Sequence, residues 1–210
     1  EAKADGRLTE ERLAYSVKKI LAYKYKANLQ NYQPIALENL YQDLNAVDYD
    51  ALNYQLYENA VTVIKNETKS IPIAQLDKEK IAYIKLGNDS SGVFLNQLQN
   101  YTNVTEIKSQ NLDTVLVELQ NYTKVIIGYH KADGAWKNHD FTFRELLWIN
   151  QIAKQNEVIL TLFTKPYSLI GIKNFEAIES IILGYQNNEI AQNVVPQIIF
   201  GALGSKGKLP

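Results

Sequence analysis

Apolar positions in the first third of the chain recur at helical spacing. Leu13, Val17, Ile20 and Leu21 share one side of segment 8–29, lysines occupy the other, and Thr9 stands where an N-cap belongs. Glu10 and Glu11 suit the positive end of that helix's dipole. The stretch QNYQPIA interrupts the pattern, and Pro34 marks it as a linker. A second helix is predicted over 50–65, DALNYQLYENAVTVIK, with Asp50 as its N-cap.

From Lys80 onward the rhythm changes. Short apolar runs (KIAYIKLG, VTEI, KVIIGY, EVILTLF and AIESIILGY) alternate with amphipathic stretches (SGVFLNQLQNY, NLDTVLVELQNY and TFRELLWINQIAKQN). Thr142 and Glu145 have capping-box spacing and open the last of these helices. YSLIGIKNF reads as a short helix or turn, and NEIAQNVVPQIIFG as a closing helix that Pro196 should kink. Strands alternating with helices of this length argue for a parallel sheet covered on both faces. Uninterrupted apolar runs such as KVII and VILTLF fit strands buried on both sides. The fold expected is α/β: a three-layer α/β/α sandwich, flavodoxin-like, with a mostly parallel sheet and an N-terminal helical extension.

Composition narrows the function classes. The chain has 210 residues, 46% of them hydrophobic, enough for one sizeable core plus a short appendage. Its 22 Lys and Arg nearly balance 23 Asp and Glu, so no basic excess points to nucleic acid. No apolar run is long enough for a membrane-spanning helix. With no cysteine, disulfides, thiolate nucleophiles and cysteine-bound zinc are excluded. The chain opens at Glu1 and contains no methionine, which favours an excised piece of a longer protein. LGNDSSG lacks the glycine spacing of a dinucleotide turn, and no G-x-S-x-G elbow occurs, so no cofactor is expected. GALGSKGK follows a helix rather than preceding one, and reads as a C-cap and turn. Five sequons, at Asn66, Asn88, Asn100, Asn103 and Asn121, are the chance yield of an Asn-rich chain.

The candidate chemistry lies in GYHKADGAWKNHD, 128–140, at the carboxyl end of a predicted strand, where open α/β sheets collect ligands. It holds both histidines and one of the two tryptophans. His130 and His139 with Asp133 or Asp140 match no metal spacing, and read as polar loop residues. Gly128 and Gly134 permit unusual backbone angles. Trp136 serves either to stack on a sugar or to pin the loop to the core.

Four segments, in order, resemble family 3 glycoside hydrolases. GRLTEERLAYSVKKILAYKYKANL is similar to the family's last barrel helix and linker, and LYENAVTVIKNETKSIPI to the entry of its second domain. VILTLFTKPYSL resembles its strand with Pro-Tyr. IILGYQNNEIAQNVVPQIIFGALGSKGKLP resembles its closing segment, with Phe200-Gly201, Gly207 and Leu209-Pro210. Pro196 departs from the pattern, since the family more often carries a small residue there.

The resemblance is strongest to the β-N-acetylglucosaminidase (β-hexosaminidase) type, and it carries several implications. Residues 1–33 would be the last barrel helix and linker, and 34–210 the sandwich domain. The partners would be an N-terminal catalytic barrel of the same parent chain and a glycan containing β-linked N-acetylglucosamine. The setting would be periplasmic or extracellular. In the β-glucosidase branch the acid/base glutamate comes from a sandwich loop; the matching loop here, 128–140, has no Glu. In the N-acetylglucosaminidase branch an Asp-His pair in the barrel does that work. The chain alone is therefore expected to be catalytically inactive, with no catalytic residue of its own. His130, Lys131, Asp133 and Trp136 are candidates for the rim of a substrate cleft in the parent. The competing reading is a non-enzymatic, flavodoxin-like ligand-binding or interaction module.

Overall fold

A computed structural model of the chain describes residues 5–88, 91–134, 136–174 and 176–209. The chain divides into two compact units, 1–46 and 47–210.

The first unit is built on helix α1, Glu10–Lys26. Thr9 Oγ1 accepts from the Arg12 amide at 3.1 Å, as its place in the sequence predicts. Glu10 and Glu11 occupy the first turn and Lys24 and Lys26 the last, so both ends complement the dipole. A 3₁₀ turn, Leu29–Asn31, and a short helix α2, Leu40–Leu44, follow, and none of the three buries a residue.

The second unit opens with α3, Val47–Ala60, and then departs from the sequence expectation. The helix predicted over 50–65 stops at Ala60, and Thr62–Lys65 forms strand β1. Val61, Thr62, Val63 and Ile64 are four consecutive β-branched residues, whose restricted χ1 suits a pleated strand better than a helix. Asp50 is not the N-cap; it lies in the first turn of a helix that begins at Val47.

Five parallel strands follow: β2 Ile81–Gly87, β3 Val104–Glu106, β4 Lys124–His130, β5 Glu157–Phe163 and β6 Ser180–Leu183. Between them run α4 Val93–Gln99, α5 Leu112–Leu119, α6 Phe143–Ala153 and a 3₁₀ segment Pro166–Gly171, with α7 Glu189–Ile199 last. The sheet order is β1-β6-β5-β4-β2-β3, with β1 antiparallel to β6. Without β1, the parallel strands adopt the flavodoxin-like order, the first strand lying between the second and the third.

Side chains alternate between two cores. Ala82, Ile84, Val125, Ile127 and Leu160 meet Val115 and Leu119 of α5 and Trp148, Ile149 and Ile152 of α6. On the other face Ile81, Tyr83, Ile126, Ile159 and Phe163 meet Phe94 and Leu98 of α4 and Ala191, Val194, Val195 and Ile198 of α7. Tyr54 and Tyr57 of α3 flank this second core. Burying each large aliphatic side chain contributes about 1.5–3 kcal/mol, so the two layers supply most of the driving force.

α7 runs through Pro196 to Ile199, with the proline ring buried in the core. GALGSKGK does cap the helix: Gly201 has φ +78°, and its amide reaches the Ile198 carbonyl at 3.3 Å. The tail then covers the outer edge of β1, where Ser205 Oγ accepts from the Val63 amide and donates to the Val61 carbonyl. A β-carbon at Gly207 would stand 2.1 Å from the Ala60 carbonyl oxygen, so that approach needs glycine. Asn66, one of the five sequons, spends its carboxamide on Ile71 and Ser180.

Candidate functional site

Neighbouring connections diverge between β2 and β4: the chain leaves β2 for the edge strand β3 and leaves β4 for β5. That is the topological switch point, where open α/β sheets form a crevice at their carboxyl ends. Here a cleft of about 380 Å³ occupies the position, lined by Lys85, Gly87, Gln110, Arg144, Glu145 and Trp148 among others.

Thr142, which closes the loop after β4, lines the cleft with the first turns of α6, and the residues of 128–140 have different fates. His130 is not in the loop. Strand β4 extends through it in register with Phe163, and its side chain is fully buried. The sequence expectation of a polar loop histidine at a substrate rim therefore fails for His130. Its ring stacks on Phe163 at 4.7 Å and meets Phe94 edge-on. Its Nε2 lies 3.1 Å from Tyr83 Oη, and its Nδ1 lies 2.8 Å from Asn187 Oδ1. Gly128 makes this possible by lacking a side chain, not by an unusual backbone angle. It is absent from the glycines with positive φ, and a β-carbon there would stand 2.8 Å from both His130 Nε2 and Tyr83 Oη.

The hydrogen positions in this buried chain follow from one fixed donor. The Phe94 amide donates to Gln192 Oε1, which leaves Gln192 Nε2 to donate to Asn187 Oδ1. Asn187 Oδ1 is thus an acceptor, so His130 Nδ1 carries a proton. On the other side of the ring, Nε2 faces the Tyr83 hydroxyl. The chain joins β2 and β4 to the segment before α7 and to the start of α4. It was not visible in the sequence, because Tyr83, His130 and Asn187 are far apart along it.

Lys131 leaves the strand end and bonds both carboxylate oxygens of Glu145, at 3.0 and 3.2 Å, with both side chains largely buried. Glu145 also accepts from the amide and hydroxyl of Thr142, completing the capping box at the start of α6. The ion pair therefore fixes the two ends of the loop to each other. Tyr129, on the other face of β4, is buried and stacked on Phe141. Burial, and after it the charges of Glu145 and Asp140, push its phenol well above the ordinary tyrosine range.

Asp133 is exposed, and Trp136 is 98% exposed. The loop beneath them is held by backbone contacts. The His139 carbonyl accepts from Ser168 Oγ at 2.6 Å, and the Gly134 carbonyl lies 3.1 Å from His139 Nε2. Gly134 does have a positive φ, +140°. Among the described residues no group of three or more His, Asp or Glu is placed to hold a metal ion. Nor is any helix there long and apolar enough to cross a membrane.

No family model matches the sequence, and no curated protein matches it. Solved structures do match the fold. A glycoside hydrolase family 3 β-N-acetylglucosaminidase from Paenibacillus sp. str. FPU-7 superposes over 100% of this chain, with a TM-score of 0.68 and 15% identity. The β-glucoside phosphorylase BglX bound to 2FGlc gives 0.74 over 99% at 16% identity. A β-glucosidase from Listeria innocua in complex with glucose gives 0.66 over 96% at 14% identity. The chain spans only 41%, 39% and 32% of those three proteins. It has the fold of an α/β sandwich found within family 3 glycoside hydrolases.

Proposed function

We propose that this chain is the sandwich domain of a family 3 glycoside hydrolase of the β-N-acetylglucosaminidase type, and that it walls the substrate cleft of a catalytic barrel in the same parent protein. The observation that carries the reading is the match of the whole chain to a minor part of each enzyme. Four segments of the sequence resemble the same family in the same order.

The branch rests on the loop. By the resemblance, a β-glucosidase would draw its acid/base glutamate from this region. The segment 128–140 has no Glu, and the nearest one, Glu145, is already held by Lys131 and Thr142. A retaining glycosidase needs two free carboxyl groups about 5–5.5 Å apart. In this reading the chain supplies neither, and contributes binding groups at the rim. Trp136, with an exposed ring on a pinned loop, would stack on a pyranose face, and Asp133 would lie toward its hydroxyls; Lys131, expected at the rim, is instead largely buried against Glu145 and holds the loop. His130 supports the sheet end from behind.

Two substitutions in the intact parent enzyme test the role. Trp136→Ala should raise KM while kcat stays within a few-fold, the signature of lost uniform binding. Asp133→Asn should behave likewise. A fall in kcat by the roughly 10²–10⁴-fold that accompanies loss of a general acid would make this loop catalytic and overturn the assignment.

A further inference from the structure

We propose that Ser168 and Thr164 are positioning residues for the loop after β4: a hydroxyl relay from them onto the His139 carbonyl holds the loop and sets where Trp136 stands. What that placement serves rests on the reading of the loop as the rim of a sugar cleft; the hold itself does not.

Thr164 lies just past β5 and is fully buried, and Ser168, in the 3₁₀ segment that follows, is only 2% exposed. A buried hydroxyl without a partner is costly, so the partner of each identifies its role. A serine hydroxyl has one proton, and a carbonyl can only accept. The 2.6 Å contact of Ser168 Oγ with the His139 carbonyl therefore uses that proton. Thr164 Oγ1, 3.1 Å away, is then the donor to Ser168 Oγ. The relay runs from Thr164 to Ser168 to His139, and each bond polarises the next. Thr164 Oγ1 and Tyr129 Oη approach the same carbonyl only at 3.5 Å, so Ser168 makes its close contact.

From His139 the hold reaches the tryptophan. The Gly134 carbonyl accepts from the Lys137 amide at 3.4 Å, closing a turn that contains Trp136. The same oxygen lies 3.1 Å from His139 Nε2, which is the donor there, and accepts from Lys165 Nζ at 3.4 Å. His139 is thus fixed by its carbonyl and fixes the turn with its ring. Phe141, two residues on, stacks on buried Tyr129. The Lys131–Glu145 pair joins the ends of the loop, whereas the relay acts next to its tip. An aromatic held in place loses less freedom on meeting a ligand, so loosening the loop should weaken binding and leave bond cleavage alone.

The test is limited trypsin digestion of the 210-residue chain, with cleavage after Lys137 followed by mass spectrometry and cleavage after Lys154, at the end of α6, as the control for wider unfolding. Ser168→Ala should speed cleavage after Lys137 about tenfold or more relative to Lys154, the factor expected when a buried hydrogen bond is lost and cleavage tracks loop opening. Thr164→Val should act in the same direction, and Thr164→Ser, which keeps the hydroxyl, should digest like the unsubstituted chain. In the intact parent enzyme Ser168→Ala should raise KM with kcat within a few-fold. Unchanged cleavage after Lys137 in Ser168→Ala and Thr164→Val, an equal rise after Lys154, or Thr164→Ser digesting as fast as Thr164→Val would overturn the proposal. If Ser168→Ala does not fold, the Thr164 pair decides by the same criteria. Faster cleavage after Lys137 with an unchanged KM would support the hold and count against the rim reading, so the two fail separately.

Discussion

A β-carbon on Gly128 would collide with the hydroxyl of Tyr83 and the imidazole of His130, both immobilised in the core. Gly128→Ala should therefore destabilise the fold by about 1–3 kcal/mol, the usual cost of overpacking, read as a lowered urea midpoint. An unchanged midpoint would mean that the Tyr83–His130 contact yields easily. The sequence could not show this. In KVIIGYH every residue after Lys124 is buried, so no alternation marks which face a residue serves. The space above Gly128 becomes evident only when β2 is set beside β4 and Tyr83 pairs with Ile126. Tyr129 carries a second prediction at this scale. A phenol whose pKa is raised by folding contributes stability that is complete below about pH 10 and is lost as pH rises above that value. Its hydroxyl makes only a long contact, 3.5 Å, to the His139 carbonyl. Tyr129→Phe should thus cost less than about 1 kcal/mol at neutral pH, yet lose stability less steeply than the parent above pH 10. Parallel losses in the two proteins on an alkaline urea series would contradict the burial argument.

Elements with strong local signals were legible and elements that rely on partners were not. The Thr142–Glu145 capping box and the Thr9 cap are written in three or four residues, and the structure carries both. β5 spans the residues that the EVILTLF run predicts. Strand β1 was missed because its β-branched run follows a helix without a Gly or Pro between them, so helical periodicity carried over it. What makes 62–65 a strand is a partner more than a hundred residues away: Thr62 pairs with Leu183. α1 is the opposite case, a well-signalled helix with no buried residue. Most helical stability comes from packing rather than propensity. Amides of Val17 and Ile20, with side chains 45% and 56% exposed, should exchange with deuterium far faster than those of Val125–Ile127, which are fully buried. Equal protection in the two segments would show that α1 has a stabilising partner.

At the scale of the molecule, the parallel α/β sandwich was readable because alternating strands and helices leave few topologies. The flavodoxin-like order of the parallel strands was expected and holds, while the antiparallel edge strand β1, the switch-point cleft and the buried chain from Tyr83 to Gln192 required the assembled sheet. The candidate site was half legible. The loop position follows from the strand before it, whereas the sequence left Trp136 open between stacking on a sugar and pinning the loop, and its ring is exposed. The burial of His130 and the Lys131–Glu145 pair follow from packing that no local pattern records. The account's central claim is that this sandwich serves a β-N-acetylglucosaminidase and does no chemistry itself. The most direct measurement compares release of 4-nitrophenol from the N-acetyl-β-glucosaminide and the β-glucoside by the intact parent protein and by this chain alone. The account predicts that the parent prefers the N-acetylglucosaminide and that the chain alone gives no turnover above buffer. Turnover by the isolated chain that a point mutation within it abolishes, or a parent that cleaves only the β-glucoside, would contradict it.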